Sequence, residues 1–220
     1  MPFHNRREAG KALAARLASY ADTPDLLVLA LPRGGVPVAF EVARALHAPL
    51  DAFLVRKLGV PGHEELALGA IASGGIRVLN PDVVQMLEIP DDVIEAVTQR
   101  ERRELARRER IYRDDRSPPD VRDHTIMLID DGLATGASMR AAIAALYDQR
   151  ARRIVVAVPV AASQTYAELC TEVDDIICLD TPDPFYGVGW WYEDFSQMTD
   201  AEVHDLLALA NSARLSEFHT

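Results

Sequence analysis

The sequence predicts an α/β fold built on a doubly wound, mostly parallel sheet. Short apolar runs alternate with longer helical patterns along most of the chain. The runs are continuously apolar, as strands are when helices cover both faces of a sheet. Two strand-to-helix junctions, at residues 31–37 and 129–138, carry glycines. Such junctions lie at the carboxyl edge of a parallel sheet, where ligands bind.

The elements follow in order. Residues 6–20 read as a helix, with Leu13, Leu17 and Tyr20 on one face. Residues 26–31 form an unbroken apolar strand, stopped by Pro32-Arg33-Gly34-Gly35, and residues 36–46 are the next helix. Residues 52–55 are a strand, followed by Arg56-Lys57 and a loop around Pro61-Gly62-His63-Glu64-Glu65. Residues 66–72 and 76–79, joined around Gly74-Gly75, read as a hairpin. Residues 81–87 and 92–112 are helical, and residues 116–123 make a polar, proline-bearing connection.

Strand 126–129, helix 139–150, strand 154–158, helix 163–171 and strand 175–179 complete the alternation. An aromatic-rich loop spans residues 181–195. A last helix begins at Thr199, with Glu202 three residues on as a capping box. One domain over residues 1–220 is expected, with the N-terminal helix and residues 181–212 forming a small hood over the strand ends.

Composition narrows the function. The chain has 220 residues, 49% of them hydrophobic, enough for one sizeable core. A net charge of −11 argues against nucleic acid or an anionic membrane as a general partner. Arginines from Arg100 to Arg113 do not change this. Glu104 with Arg108 and Glu109 with Arg113 are i,i+4 pairs, the pattern of a solvated, salt-bridged face. Cys170 and Cys178 have no metal-type spacing and read as reduced core thiols. The opening residues hold no apolar leader, and no apolar run approaches about 18 residues, so a cytoplasmic location is expected.

The chemistry concentrates in Ile126-Met127-Leu128-Ile129-Asp130-Asp131-Gly132-Leu133-Ala134-Thr135-Gly136-Ala137-Ser138. A loop of small and hydroxyl residues entering a helix presents backbone N–H groups and a positive dipole end to a phosphate. The two carboxylates repel phosphate but accept from sugar hydroxyls. Together they describe a ribose 5-phosphate site. Leu31-Pro32-Arg33-Gly34-Gly35-Val36-Pro37 is a second anion-friendly junction, where glycine lets backbone approach a ligand and Arg33 adds a cation. Lys57 stands out because the chain has 21 arginines and only two lysines.

Residues 126–138 resemble the phosphoribosyl-diphosphate (PRPP) binding motif of the type I phosphoribosyltransferases, and a weaker resemblance spans residues 8–195. The resemblance implies transfer of 5-phosphoribosyl from PRPP to a nitrogen acceptor, releasing pyrophosphate. Under it Asp130 and Asp131 hold the ribose hydroxyls, and Ala134, Thr135, Gly136, Ala137 and Ser138 hold the 5-phosphate. Arg33, Gly34, Arg56 and Lys57 would meet pyrophosphate, with Lys57 neutralising the leaving group. His63, Glu64 and Glu65 occupy the place of the family's mobile catalytic loop, where one could relay a proton.

Mg²⁺ is the implied cofactor, bridging ribose and pyrophosphate oxygens, with Asp130, Asp131 and Asp194 reaching it through water or substrate. Phe185 and Trp190 suit a stacked base beside Val160. Ala134 stands where 6-oxopurine transferases carry a third acid, an adenine-like feature. Residues 183–189, followed by Glu193 and Asp194, resemble the base-binding end of the 6-oxopurine group, and the two cues conflict. A purine-type acceptor is the first expectation. The implied partners are PRPP and this small acceptor, without nucleic acid or membrane, and a homodimer is compatible with the reading. A non-catalytic sensor of PRPP or a nucleotide is the alternative, and a phosphoribose hydrolase a third possibility.

Overall fold

Parallel strands buried on both faces need an apolar side chain at nearly every position, and three segments of this chain, the central strands of the sheet, supply it. The structure is a computed structural model that describes residues 2–114 and 116–217, and of residues 64, 65 and 213–217 the backbone alone. In chain order the elements are α1 (Arg6–Arg16), β1 (Leu26–Ala30), α2 (Gly35–Leu46), β2 (Leu50–Ala52), β3 (Val55–Val60), β4 (His63–Ala72), β5 (Arg77–Leu79), α3 (Pro81–Met86), α4 (Asp91–Arg113), β6 (Thr125–Ile129), α5 (Ala137–Asp148), β7 (Arg153–Val160), α6 (Ser163–Leu169), β8 (Asp175–Asp180) and α7 (Asp200–Glu217).

The central sheet is parallel with strand order β2-β1-β6-β7-β8. Successive side chains leave a strand on opposite faces, and the core divides accordingly. Val28, Ala30, Met127, Ile129, Val155 and Ala157 point into a cluster with α1, α2 and α7. Leu27, Leu29, Ile126, Leu128, Ile154 and Val156 point into a second cluster with α5 and Leu169 of α6. The doubly wound α/β expectation holds.

The hairpin is present but belongs to a separate antiparallel sheet, β3-β4-β5. Its first strand takes in Arg56 and Lys57, which were expected just past a strand end. Val60 pairs with His63, so Pro61-Gly62 is a two-residue turn rather than the expected longer loop. Gly62 has φ +80°, a conformation open to glycine.

The N-terminal helix, expected to contribute to a hood, is α1. It packs along α2 and reaches β7 and β8. Gly10 makes that approach possible, since a Cβ there would sit 2.7 Å from the Val38 carbonyl oxygen. Helix α7 begins with the expected box: Thr199 N–H donates to Glu202 Oε2 at 2.8 Å, and Glu202 N–H to Thr199 Oγ1 at 3.2 Å. It then packs on α2, α4 and β2.

Two further expectations change. Arg113 is buried rather than solvated, donating to Asp51 Oδ1 at 2.9 Å, to the Ala52 carbonyl and to Glu109. Cys170 is exposed rather than a core thiol. Burial pushes the half-buried Cys178 thiol up to about 11. Among the described residues, no helix is long and apolar enough to cross a membrane.

Candidate active site

Strands β1 and β6 are neighbours, so the loops that leave their carboxyl ends lie back to back. Leu31 N–H donates to the Ile129 carbonyl at 2.8 Å, carrying the pairing past the strand ends. Contact between the loops requires glycine. A Cβ on Gly34 would sit 1.9 Å from Asp131 Oδ2, and one on Gly35 would sit 2.7 Å from the Ile129 carbonyl oxygen. The Pro32–Arg33 peptide just before them is cis. Two motifs about a hundred residues apart in sequence thus become one rim.

The loop after β6 is braced from behind. Thr165 Oγ1 donates to the Ala134 carbonyl at 2.5 Å and Arg140 Nη1 to the Thr135 carbonyl at 2.9 Å. Arg140 is in turn held by Glu168 and Glu172. Gly136, at φ +71°, starts α5, whose N-terminus has no side-chain cap. Helix α5 begins earlier than expected, so Ala137 and Ser138 form its first turn. With the loop carbonyls engaged and Ala134, Thr135, Ala137 and Ser138 exposed, the outward surface is the one that carries N–H groups.

Asp130 and Asp131 sit at the base of this rim. Burial and the neighbouring Asp131 raise the Asp130 carboxyl well above the ordinary range. Burial raises Asp131 too, opposed by Arg6. Asp130 Oδ1 accepts from Asp131 N–H at 2.8 Å. Arg6 Nε donates to Asp131 Oδ2 at 2.8 Å, with side chains only 11% and 14% exposed. The sequence reading did not single out Arg6. One signal was available: a cation in the first turn of a helix opposes the helix dipole, so it needs another reason to be there.

The cations separate. Lys57 is exposed and lines a cleft of about 820 Å³ between the antiparallel sheet and α5, together with Ala137, Ser138 and Arg140. Arg56 leaves the strand on the other face and donates through Nε and Nη2 to Glu101 of α4, at 2.9 and 2.6 Å. It is therefore not grouped with Lys57. Arg33 Nη1 lies 3.8 Å from Asp200 at the start of α7. His63 is exposed beside the hairpin turn, while the side chains of Glu64 and Glu65 lie outside the described residues.

The aromatic segment divides into two. Tyr192 and Phe195 stack at 5.1 Å, Phe3 meets Tyr192 at 5.8 Å, and the Tyr192 hydroxyl donates to the Asp131 carbonyl at 2.6 Å. This half is packing. Trp190, 72% exposed, pairs with Tyr186, 71% exposed, at 5.6 Å. Phe185 is half-buried. Val160 is buried, and its carbonyl accepts from Leu133 N–H. Ala161 N–H and Ala162 N–H donate to the Asp180 and Leu133 carbonyls, so the backbone groups next to Val160 are engaged. Asp194 is exposed and accepts from Ser196 N–H at 3.0 Å. Among the described residues no group of three or more His, Cys, Asp or Glu is arranged to hold a metal.

Comparison with known proteins shows the family and the fold. A family model described as "Phosphoribosyl transferase domain" matches residues 4–192. A Mycobacterium tuberculosis H37Rv protein, Rv0571c, is 43% identical over 201 residues and is named, provisionally, a phosphoribosyl transferase. The match covers 91% of this chain and 45% of that protein, so the chain spans about half the length of this relative. The crystal structure of TT1426 from Thermus thermophilus has a TM-score of 0.84 at 42% identity, covering 94% of this chain and 98% of that one. A Neisseria gonorrhoeae protein with bound ppGpp shares the fold, with a TM-score of 0.50 at 14% identity, over 95% of this chain and 98% of that one.

Proposed function

The chain belongs to the phosphoribosyl transferase domain family, and on that premise we propose that it transfers 5-phosphoribosyl from PRPP to a small nitrogen acceptor. The observation that carries this reading is the uncapped start of α5 standing beside two largely buried carboxylates. The helix N-terminus suits the 5-phosphate and the carboxylates suit the ribose hydroxyls. Bound this way, the sugar presents C1 to an attacking nitrogen while the bond from C1 to the pyrophosphate oxygen breaks, and pyrophosphate leaves with the bonding pair.

Lys57 supports the leaving-group side, because it shares a cleft with the first turn of α5. A compact ammonium there stabilises charge that grows as pyrophosphate departs. Arg33, near the same rim but leaning toward Asp200, would add to it by turning inward. A purine-type acceptor is favoured by Ala134 in place of an acid and by the exposed Tyr186–Trp190 pair, which offers a stacking surface. The hard oxygens of Asp130 and Asp131 fit Mg²⁺ that arrives with its substrate, a cation that usually keeps waters and sits on phosphates. When bound, it would offset the negative charge of the pyrophosphate.

Calorimetric titration with PRPP and Mg²⁺ tests the binding claim. Wild type should bind, and the Asp130→Asn/Asp131→Asn variant should lose most of that affinity while remaining folded. Equal affinity in the double variant would remove the central assignment. A screen of purine and pyrimidine bases and ammonia for PRPP-dependent pyrophosphate release tests transfer. Release with a purine base is expected; PRPP binding with no release from any acceptor would favour a sensor.

A further inference from the structure

We propose that Arg6 is a positioning residue for sugar-diol recognition: it fixes the Asp131 carboxylate in one orientation and so makes the N-terminal segment part of the ribose site. The inference rests on the ribose 5-phosphate reading above.

Two contacts fix the carboxylate, and a third fixes the backbone that carries it. Arg6 Nε engages Oδ2 at 2.8 Å, leaving Oδ1 to accept from a hydroxyl. Gly34 closes the second side, with no space for even a Cβ between it and Oδ2. The Tyr192 hydroxyl holds the residue's own carbonyl at 2.6 Å.

Arg6 is itself immobilised. Its Nη1 donates to the Ser196 carbonyl at 2.9 Å, and its guanidinium carbon lies 3.9 Å from the centre of the Phe195 ring. The chain just before it is joined to the same loop. Phe3 N–H donates to the Trp191 carbonyl, Glu193 N–H to the Phe3 carbonyl, and Asp194 N–H to the His4 carbonyl. A desolvated ion pair is a weak device for stability alone, because apolar packing of similar volume serves as well. Holding an acceptor oxygen in one direction is a task that apolar packing cannot perform.

The test compares ribose 5-phosphate with its 2-deoxy and 3-deoxy analogues by calorimetry on the full chain. A hydroxyl received by a charged, oriented carboxylate should give wild type a preference of about tenfold for ribose 5-phosphate over at least one analogue. Arg6→Met keeps the contact with Phe195 but loses the charge and the fork. It should reduce that preference to within about twofold while leaving affinity for the deoxy analogue nearly unchanged. Arg6→Lys, which keeps the charge, should retain part of the preference and serves in place of Arg6→Met if that variant does not fold.

Equal weakening toward all three sugars would show a purely structural role and overturn the proposal. So would an unchanged preference. Wild type binding none of the three would overturn the ribose 5-phosphate reading as well, which separates the two failures.

Discussion

Asp130 shows at one residue how a group proposed to bind substrate can work against the fold that holds it. Burial and the adjacent Asp131 carboxylate raise its folded-state value well above the ordinary one. The folded chain therefore holds that proton more tightly than the unfolded chain. Stability falls as pH rises out of the ordinary carboxylate range and through the raised value. Asp130→Asn should melt above wild type at neutral pH, with the difference closing below about pH 4. Thermal melts across pH check this, and PRPP affinity should move the opposite way. Lys57 makes the complementary case under the proposed function, as a group that would act in the transition state. Lys57→Ala should lower kcat by at least about tenfold while changing the KM for PRPP less, because leaving-group charge grows during bond breaking. Steady-state kinetics with a productive acceptor are the measurement; a rise in KM alone would make Lys57 a binding residue only.

At the scale of elements, the decisive unit is the junction of β6 and α5. Gly136 adopts φ +71°, and a Cβ there would lie 2.8 Å from Thr165 Cγ2. An L-residue in that conformation costs about 1–2 kcal/mol. Gly136→Ala should therefore lower unfolding free energy by about that amount in urea titrations and weaken binding of inorganic phosphate, since both effects act through the same turn. The β3–β4 hairpin behaves differently. Its turn is Pro61-Gly62 alone, where the sequence reads a longer loop over residues 61–65, and its position over α5 is not written in the local residues either. Alternation along β3 decides which cation meets the cleft: Lys57 faces α5 and Arg56 faces α4.

Over the whole molecule, α4 ties the two sheets together. Glu101 receives Arg56 from β3, and Arg113 reaches Asp51 and the Ala52 carbonyl of β2. Arg113 is 1% exposed, so removing it strands a largely buried Asp51 carboxylate. Arg113→Met should destabilise the protein by about 3–5 kcal/mol, read from chemical unfolding. A loss near zero would mean that apolar packing replaces the pair fully.

The sequence by itself determined the parallel sheet, the strand–loop–helix junction at residues 126–138, the glycine rim at Gly34 and the capping box at Thr199. Each is written in a short window, where periodicity, backbone freedom and side-chain-to-backbone bonding act between near neighbours. Tertiary structure alone decided the rest. The hairpin became its own sheet, α1 lay along α2, and Arg56 turned away from Lys57. Arg6 came to Asp131 across 125 positions, and Arg113 to Asp51 across 62. In both pairs the charges attract only after packing has excluded water and brought their elements together. Nothing in the residues flanking either partner records that distance.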